Sequence, residues 1–557
     1  MTSTSPLATL PRSAGRALVE SLQQHRVERI FCVPGESYLE VLDALHDAPD
    51  IDLVVAKHEG AAACMAEADG KLTGRPGICM VTRGPGATHA SVGVHIAQQD
   101  STPMILFIGQ IARNHVGREA FQEVDYQAMF GKLAKWVVEV TDAERMPEIL
   151  ARAFHLAVSG RPGPVVVALP EDMLLQDCTV PVCAATPVEE ATLSAQTLER
   201  ITQALSQAQR PLVMVGGPDW TPAARQALQT FASRWQLPVA CGFRRQDALD
   251  NNDAHYAGHL SLGMNPKLIQ RIKDCDLILA IGTRIGDIET DGYTLLQPPR
   301  IAQRLIHIHA DPAELGRVFQ ADLAAACTAG SALRSLAATA PGSPPPWQAW
   351  TSQARNDHLA FVTPPAPHPQ LQGPDLAAVM QHMAQVLPAD SIVTNGAGNY
   401  AVWLHRFYRY RASRTQLAPT CGSMGYGLPA AVAAALRHRD RDVICLAGDG
   451  CFLMYPQELA TAQAHGARLT VLVVNNGMYG TIRMHQEKLH PGRVSGTQLS
   501  GPDYVQLAKA FGAHAERVQR TEDFAPAFAR ARQHDGISLL ELCTDPQQIT
   551  PAMRLSR

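Results

Sequence analysis

A chain of 557 residues is too long for a single hydrophobic core, and roughly two to four domains of ordinary size are expected. With 46% hydrophobic and 18% charged residues and a formal net charge of -4, the composition is that of a near-neutral globular protein. It carries neither the basic excess of a nucleic-acid binder nor an acidic tail, and its longest apolar runs, such as Leu469 to Val474, are strand-sized, so no helix crossing a membrane is expected.

The opening MTSTSPLATLPRSAGRALVE is rich in Ser and Thr and has no basic start followed by a continuous apolar segment, which predicts a cytoplasmic protein with a frayed amino terminus. DLVVAK then reads as a strand, GAAACMAEADGKL as a helix, and GICMVT as a strand that leads into the loop RGPGATHA. PMILFIG is the next strand. A linker is expected from Gln176 to Ser194. PLVMVGG, LPVACG, DLILAIG and RLIHIHAD follow as strands of a middle unit, and the Pro-rich stretch between Pro341 and Pro374 reads as a second linker. Beyond it, DVICLAGDG is a strand ending in glycines, MYPQELATAQAHG a helix closed by Gly466, and LTVLVVNN a further strand.

Short β-branched runs alternating with Ala-rich helical segments predict an α/β chain of three doubly wound parallel-sheet domains, two similar outer ones around a different centre. The expected boundaries are residues 1–178, 195–340 and 374–557. None of the 12 cysteines forms a pair with close metal-ligand spacing, and the 21 histidines are scattered singly, so buried free thiols are expected and no zinc site.

Asp449 stands between Gly448 and Gly450 at the carboxyl end of an apolar strand, where open parallel sheets bind their ligands. The glycines admit close backbone approach, and the helix expected next would offer N–H groups to a phosphate. The stretch from Cys451 to Val474 is long enough for one helix and one strand, so a right-handed crossover can bring Asn476 close to Asp449. The Asp449 carboxylate, the Asn476 amide oxygen and the main-chain carbonyl of Met478 are hard ligands suited to Mg2+, with diphosphate oxygens and water completing the octahedron.

Gly-Asp-Gly followed by an Asn pair resembles the binding motif of thiamine-diphosphate enzymes. The likeness runs through nearly the whole chain, in KHEGAAACMAEADG, RGPGATHASVG, GREAFQEVD, SGRPGPVVVALPED and SMGYGLPAA, and is similar to the acetolactate synthase large-subunit group. The resemblance implies roles for further residues. Glu59, by itself only an acid favoured at a helix start, would be the carboxyl group that activates the aminopyrimidine of thiamine diphosphate, and is expected to be shielded from water. Met424 would be the wedge under the cofactor rings and the Gly422 carbonyl would hold the pyrimidine amino group. Phe121 and Gln122 would line the approach to the thiazolium, and the loop Gly84 to Gly86 would face the reaction centre. A homodimer or homotetramer with active sites between subunits is implied as well.

Three positions depart from the biosynthetic enzyme: His485 replaces a tryptophan, Ile288 an arginine, and Glu171 a lysine after Leu-Pro. These place substrate specificity, and acceptor recognition above all, on His485, Ile288 and Glu171. Gly216-Gly217 and Thr283-Arg284 supply only part of the family's FAD pattern, which leaves open whether FAD is bound.

The expected activity is decarboxylation of a pyruvate-like 2-oxo acid and transfer of the enamine to a carbonyl acceptor; the alternative is a decarboxylase or carbon–carbon lyase that releases an aldehyde. A noncatalytic binding protein is disfavoured because Glu59, Asp449 and Asn476 are all intact. The altered acceptor positions predict a relative of the housekeeping enzyme with changed substrate choice.

Overall fold

The computed structural model describes residues 11–186, 188–218 and 220–555; the opening ten residues read as frayed lie outside them. The chain forms two compact units, the first made of Met1–Val188, Val432–Arg437 and Tyr455–Ala467, the second of Glu189–Ala431, His438–Met454 and Arg468–Arg557.

The first unit holds a six-stranded sheet of β1 (Arg29–Cys32), β2 (Asp52–Val55), β3 (Gly77–Val81), β4 (Met104–Gln110), β5 (Trp136–Glu139) and β6 (Pro164–Pro170), in the order β2-β1-β3-β4-β6-β5. Every pairing is parallel. All residues of β4 and of β6 are buried, as strands covered by helices on both faces require. Between the strands run α1 (Glu59–Thr73) and α2 (Pro85–Asp100). The first is buried around almost its whole circumference, which explains why its sequence is Ala-rich rather than amphipathic. The second begins with Pro85 at its first turn and is preceded by Gly84 at φ 57°, a conformation that disfavours any side chain.

The second unit holds two parallel sheets. Strands β7 (Pro211–Val215), β8 (Val239–Cys241), β9 (Tyr256–His259), β10 (Leu277–Ile281), β11 (Arg304–His309) and β12 (Leu323–Ala326) lie in the order β9-β8-β7-β10-β11-β12. Strands β13 (Ile392–Asn395), β14 (Gln416–Leu417), β15 (Val443–Gly448), β16 (Leu469–Asn475), β17 (His514–Val518) and β18 (Ile537–Cys543) lie in the order β14-β13-β15-β16-β18-β17. This repeats the strand order of the first sheet, while the middle sheet has the order of a dinucleotide-binding fold. Three parallel-sheet domains, the first and third alike in strand order and the middle one different, are thus the architecture.

One linker is more ordered than its composition suggests. Within the Pro-rich stretch, Gln348–Val362 is a helix that buries Thr351, Ala354, Asp357, His358 and Val362. Prolines crowd its flanks but spare its interior, and Arg271 fixes it by bonding the Trp350 carbonyl at 2.9 Å and Asp357 at 3.2 Å. Among the described residues no helix is long and apolar enough to cross a membrane.

Candidate active site

In the first unit, the turn from β2 into α1 puts Glu59 at the first position of its helix, with His58 as cap accepting the Gly60 N–H. The buried carboxylate of Glu458 accepts the N–H of Lys57 at 3.2 Å and the Thr461 hydroxyl at 2.7 Å, which anchors this turn. Burial pushes the Glu458 carboxyl above its ordinary range. Glu59 Oε2 lies 2.9 Å from His89 Nδ1, and a side-chain carbon added to Gly86 would stand 3.6 Å from Glu59 Oε1. Gly84 and the first turn of α2, expected as a loop, therefore face the carboxyl group. Glu59 is only half-buried in the single chain, its side chain 16% exposed, less shielded than its expected role asks.

Gln122, at φ 66°, closes on the same loop: a carbon added to Gly84 would meet Gln122 Cβ at 2.8 Å. The Gly84 N–H donates to the Tyr126 hydroxyl at 2.9 Å. Phe121 beside it is 75% exposed. Glu171 is not a loose reversed charge, because its carboxylate pairs at 2.8 Å with the buried Arg83, whose guanidinium also reaches Glu36 at 3.1 Å.

In the second unit, Asp449 follows β15 where the chain order of the sheet switches, the position at which open sheets bind ligands. Its Oδ2 accepts the N–H of Gly477 at 2.9 Å and its Oδ1 the N–H of Gly450 at 2.9 Å. Burial pushes the Asp449 carboxyl up, and the N–H groups of Gly450, Gly477 and Asn476 oppose that shift. Because β15 and β16 are adjacent, with Gly448 opposite Val474, the turn after β16 folds over Asp449. Asn475 donates to Glu541 at 2.8 Å and accepts the Gly477 N–H at 3.2 Å, while Asn476 Oδ1 accepts the Met478 N–H at 3.2 Å and the Met478 carbonyl accepts the Gly480 N–H at 2.9 Å. The helix expected to offer phosphate N–H groups is one turn only, Asp449–Phe452, and Gly450 spends its N–H on Asp449.

Cys451 ties this turn to the segment carrying Gly422 and Met424. Its sulfur accepts the Gly425 N–H at 3.2 Å and the Tyr400 hydroxyl at 3.3 Å, and that hydroxyl accepts the Gly396 N–H at 3.1 Å. Met424 packs half-buried against the apolar core of the third sheet, and Gly422 is exposed at φ 71° with open space around it. After Met478 comes α3 (Gly480–Leu489), which buries none of its residues and is held at its start by Asn399, whose Oδ1 accepts the Thr481 hydroxyl at 3.0 Å. His485 is exposed on this helix; Ile288 is half-buried beyond β10, and no hydrogen bond or ring contact among the described residues joins the two.

Comparison with known proteins gives the family. Residues 12–129 match the N-terminal TPP binding domain of thiamine pyrophosphate enzymes, residues 198–336 their central domain, and residues 396–542 their C-terminal TPP binding domain. The chain is 33% identical over 554 residues to an acetolactate synthase large subunit of Parasynechococcus marenigrum, covering 95% of this chain and 87% of the relative. The chain belongs to the acetolactate synthase-like family of thiamine pyrophosphate enzymes. The isozyme 2 large subunit of Escherichia coli is 31% identical over 530 residues, 95% of each chain, and the large subunit of Corynebacterium glutamicum 30% identical over 538 residues, covering 94% of this chain and 85% of the relative.

For an acetolactate synthase-like enzyme the middle sheet is the place to test for a dinucleotide. The two turns at its switch point touch backbone to backbone: a carbon added to Gly217 would lie 2.2 Å from the Gly282 carbonyl oxygen. Two donors beside them are already used, since Glu289 accepts the Thr283 hydroxyl at 2.6 Å and the Gly286 N–H at 3.1 Å. The same carboxylate fills the space in front of Gly242, where an added carbon would meet Glu289 Oε1 at 2.3 Å. Sequence reasoning overlooked His89, Glu458, Cys451 and Asn399. Only Cys451, next to Gly450, and His89, just after Gly-Pro-Gly-Ala-Thr, stood close enough to a motif to be flagged.

Proposed function

We propose that this chain is a thiamine-diphosphate- and Mg2+-dependent carboligase that decarboxylates a pyruvate-like 2-oxo acid and joins the resulting two-carbon unit to a second carbonyl. The observation that carries the reading is the turn in which Asp449 and Asn476 share one backbone loop, an anionic and a neutral hard oxygen donor at the switch point of a parallel sheet. Asp449, Asn476 and the Met478 carbonyl would hold the cation, and the exposed, open Gly422 leaves room for close approach of the pyrimidine. The bound thiamine diphosphate supplies the electron sink that makes a carbanion equivalent out of a 2-oxo acid.

The protein's own part is to place and protect. Asp449 would supply the negative charge that holds the cation, and Met424, packed against the core, would offer a firm apolar surface for the cofactor rings. Glu59 presents Oε1 on the Gly86 side, ready to hold a proton at the aminopyrimidine nitrogen. Gln122 and Gly84 line the approach, and Phe121 shields it from water once covered. Carboxyl groups at Glu171 and Glu36 neutralise Arg83, so its guanidinium is not free to pair with a substrate carboxylate.

The reading extends to a homodimer or homotetramer, which would bury the exposed Phe121 and the uncovered helix α3, and to domains at residues 1–178, 195–340 and 374–557. A cytoplasmic setting belongs to the same reading. FAD does not fit the occupied switch point of the middle sheet, and no step is assigned to it; stoichiometric flavin retained after incubation with FAD and desalting would contradict this. The function itself is tested by dialysing the protein against a chelator and assaying CO2 release from pyruvate. Release that needs both thiamine diphosphate and Mg2+ supports the reading, and release indifferent to both overturns it.

A further inference from the structure

Among the described residues, Glu59 has one polar side-chain partner, His89 Nδ1 at 2.9 Å from Oε2. With the carboxyl group ionised, Nδ1 is the donor of this bond. The neighbouring His58 uses its own Nδ1 to accept the Gly60 N–H at 3.0 Å. His58 backs the donor: its ring lies 4.6 Å from that of His89, tilted by 31°, and 5.2 Å from the ring of Tyr455. The bond joins the first residue of α1 to a residue in the first turns of α2, so it bridges two helices that the sheet holds in place.

Without that bond, a carboxylate at the first position of a helix has an attractive alternative in the free N–H groups of its own first turn. A glutamate side chain also loses rotamer freedom when held, and something must offset that loss. We propose that His89 is a positioning residue for Glu59, fixing the carboxyl group through Oε2 so that Oε1 is left for the cofactor's aminopyrimidine. The inference rests on the reading of Glu59 given above. His89 touches neither substrate nor cofactor in this account; it acts through Glu59.

The test is the rate at which the thiazolium C2 proton of bound thiamine diphosphate exchanges with deuterium, read by quenched-flow proton NMR at saturating cofactor. Cofactor affinity from tryptophan fluorescence and the melting temperature are measured alongside. His89→Leu should slow exchange on the order of 10²-fold, the scale of a misplaced catalytic group, with affinity and melting temperature near wild type. His89→Asn should restore most of the rate, because the asparagine amide nitrogen reaches about where Nδ1 stands. Should His89→Leu not fold, His89→Ala carries the same comparison. In a Glu59→Gln background, His89→Leu should have no further effect, since the two act as one unit. Wild-type exchange in His89→Leu together with slow exchange in Glu59→Gln overturns the role of His89 alone. Wild-type exchange in Glu59→Gln overturns the reading of Glu59, and the inference with it.

Discussion

Asp449 Oδ2 accepts the backbone N–H of Gly477 at 2.9 Å, so the residue just after one strand holds the turn that follows the neighbouring strand. This single bond aligns Asp449 with Asn476 and Met478, the three groups proposed to hold Mg2+. Asp449→Ala removes the only charged donor of the set, and the remaining neutral oxygens bind a hard cation poorly. Retention of Mg2+ and of thiamine diphosphate should weaken by at least about tenfold, measured by isothermal titration of the apoprotein. Unchanged affinity would remove Asp449 from the metal site.

If the active site is completed between subunits, Glu59→Gln and Asp449→Ala chains, each inactive, should recover activity when mixed and allowed to exchange, because a mixed dimer contains one intact site. Activity is compared before and after exchange verified by native mass spectrometry. No recovery would mean that each site is built within one chain.

Acceptor choice should be loose. A guanidinium pairs bidentately with a carboxylate, and Ile288 offers no hydrogen bond in its place. His485, exposed on α3, presents less apolar surface than an indole, and one methylene in a good pocket is worth only about 1–3 kcal/mol. In competition at equal concentration, 2-oxobutyrate and pyruvate should be used as acceptors with little discrimination. A strong preference for 2-oxobutyrate would restore the housekeeping assignment.

Stability should fall on mild acidification. Burial lowers His259 to about 4 and His358 to about 3, and His405, also buried, is lowered in the same direction. These groups are neutral in the folded protein but take up protons when unfolded, so their contribution is complete above the unfolded value near 6.5 and is lost as the pH drops toward 4. Each group contributes a slope of up to about 1.4 kcal/mol per pH unit in that window. Urea unfolding at pH 7.5 and pH 5.0 checks this, and identical midpoints would contradict it.

The sheets were legible because strands buried on both faces read as continuous apolar runs: PMILFIG and LTVLVVNN fall within a residue or two of β4 and β16. The Gln348–Val362 helix was not, because the prolines on both sides of it dominate the local composition. Asp449 and Asn476 could be brought together from crossover topology alone. His89, by contrast, meets Glu59 only through the packing of α1 against α2, and Glu171 meets Arg83 across a separation of 88 residues, contacts for which no periodicity gives a signal. The half-exposure of Glu59 likewise belongs to the single chain's surface rather than to its sequence.

The central claim is that the chain makes a carbon–carbon bond at a site served by Glu59 and Asp449. It is tested most directly by proton NMR of the products formed from pyruvate with thiamine diphosphate and Mg2+, for the wild type beside Glu59→Gln. The account predicts acetolactate or acetoin as the main product, with formation slowed on the order of 10²-fold or more in Glu59→Gln. Acetaldehyde as the sole product, or adduct formation untouched by Glu59→Gln, would contradict it.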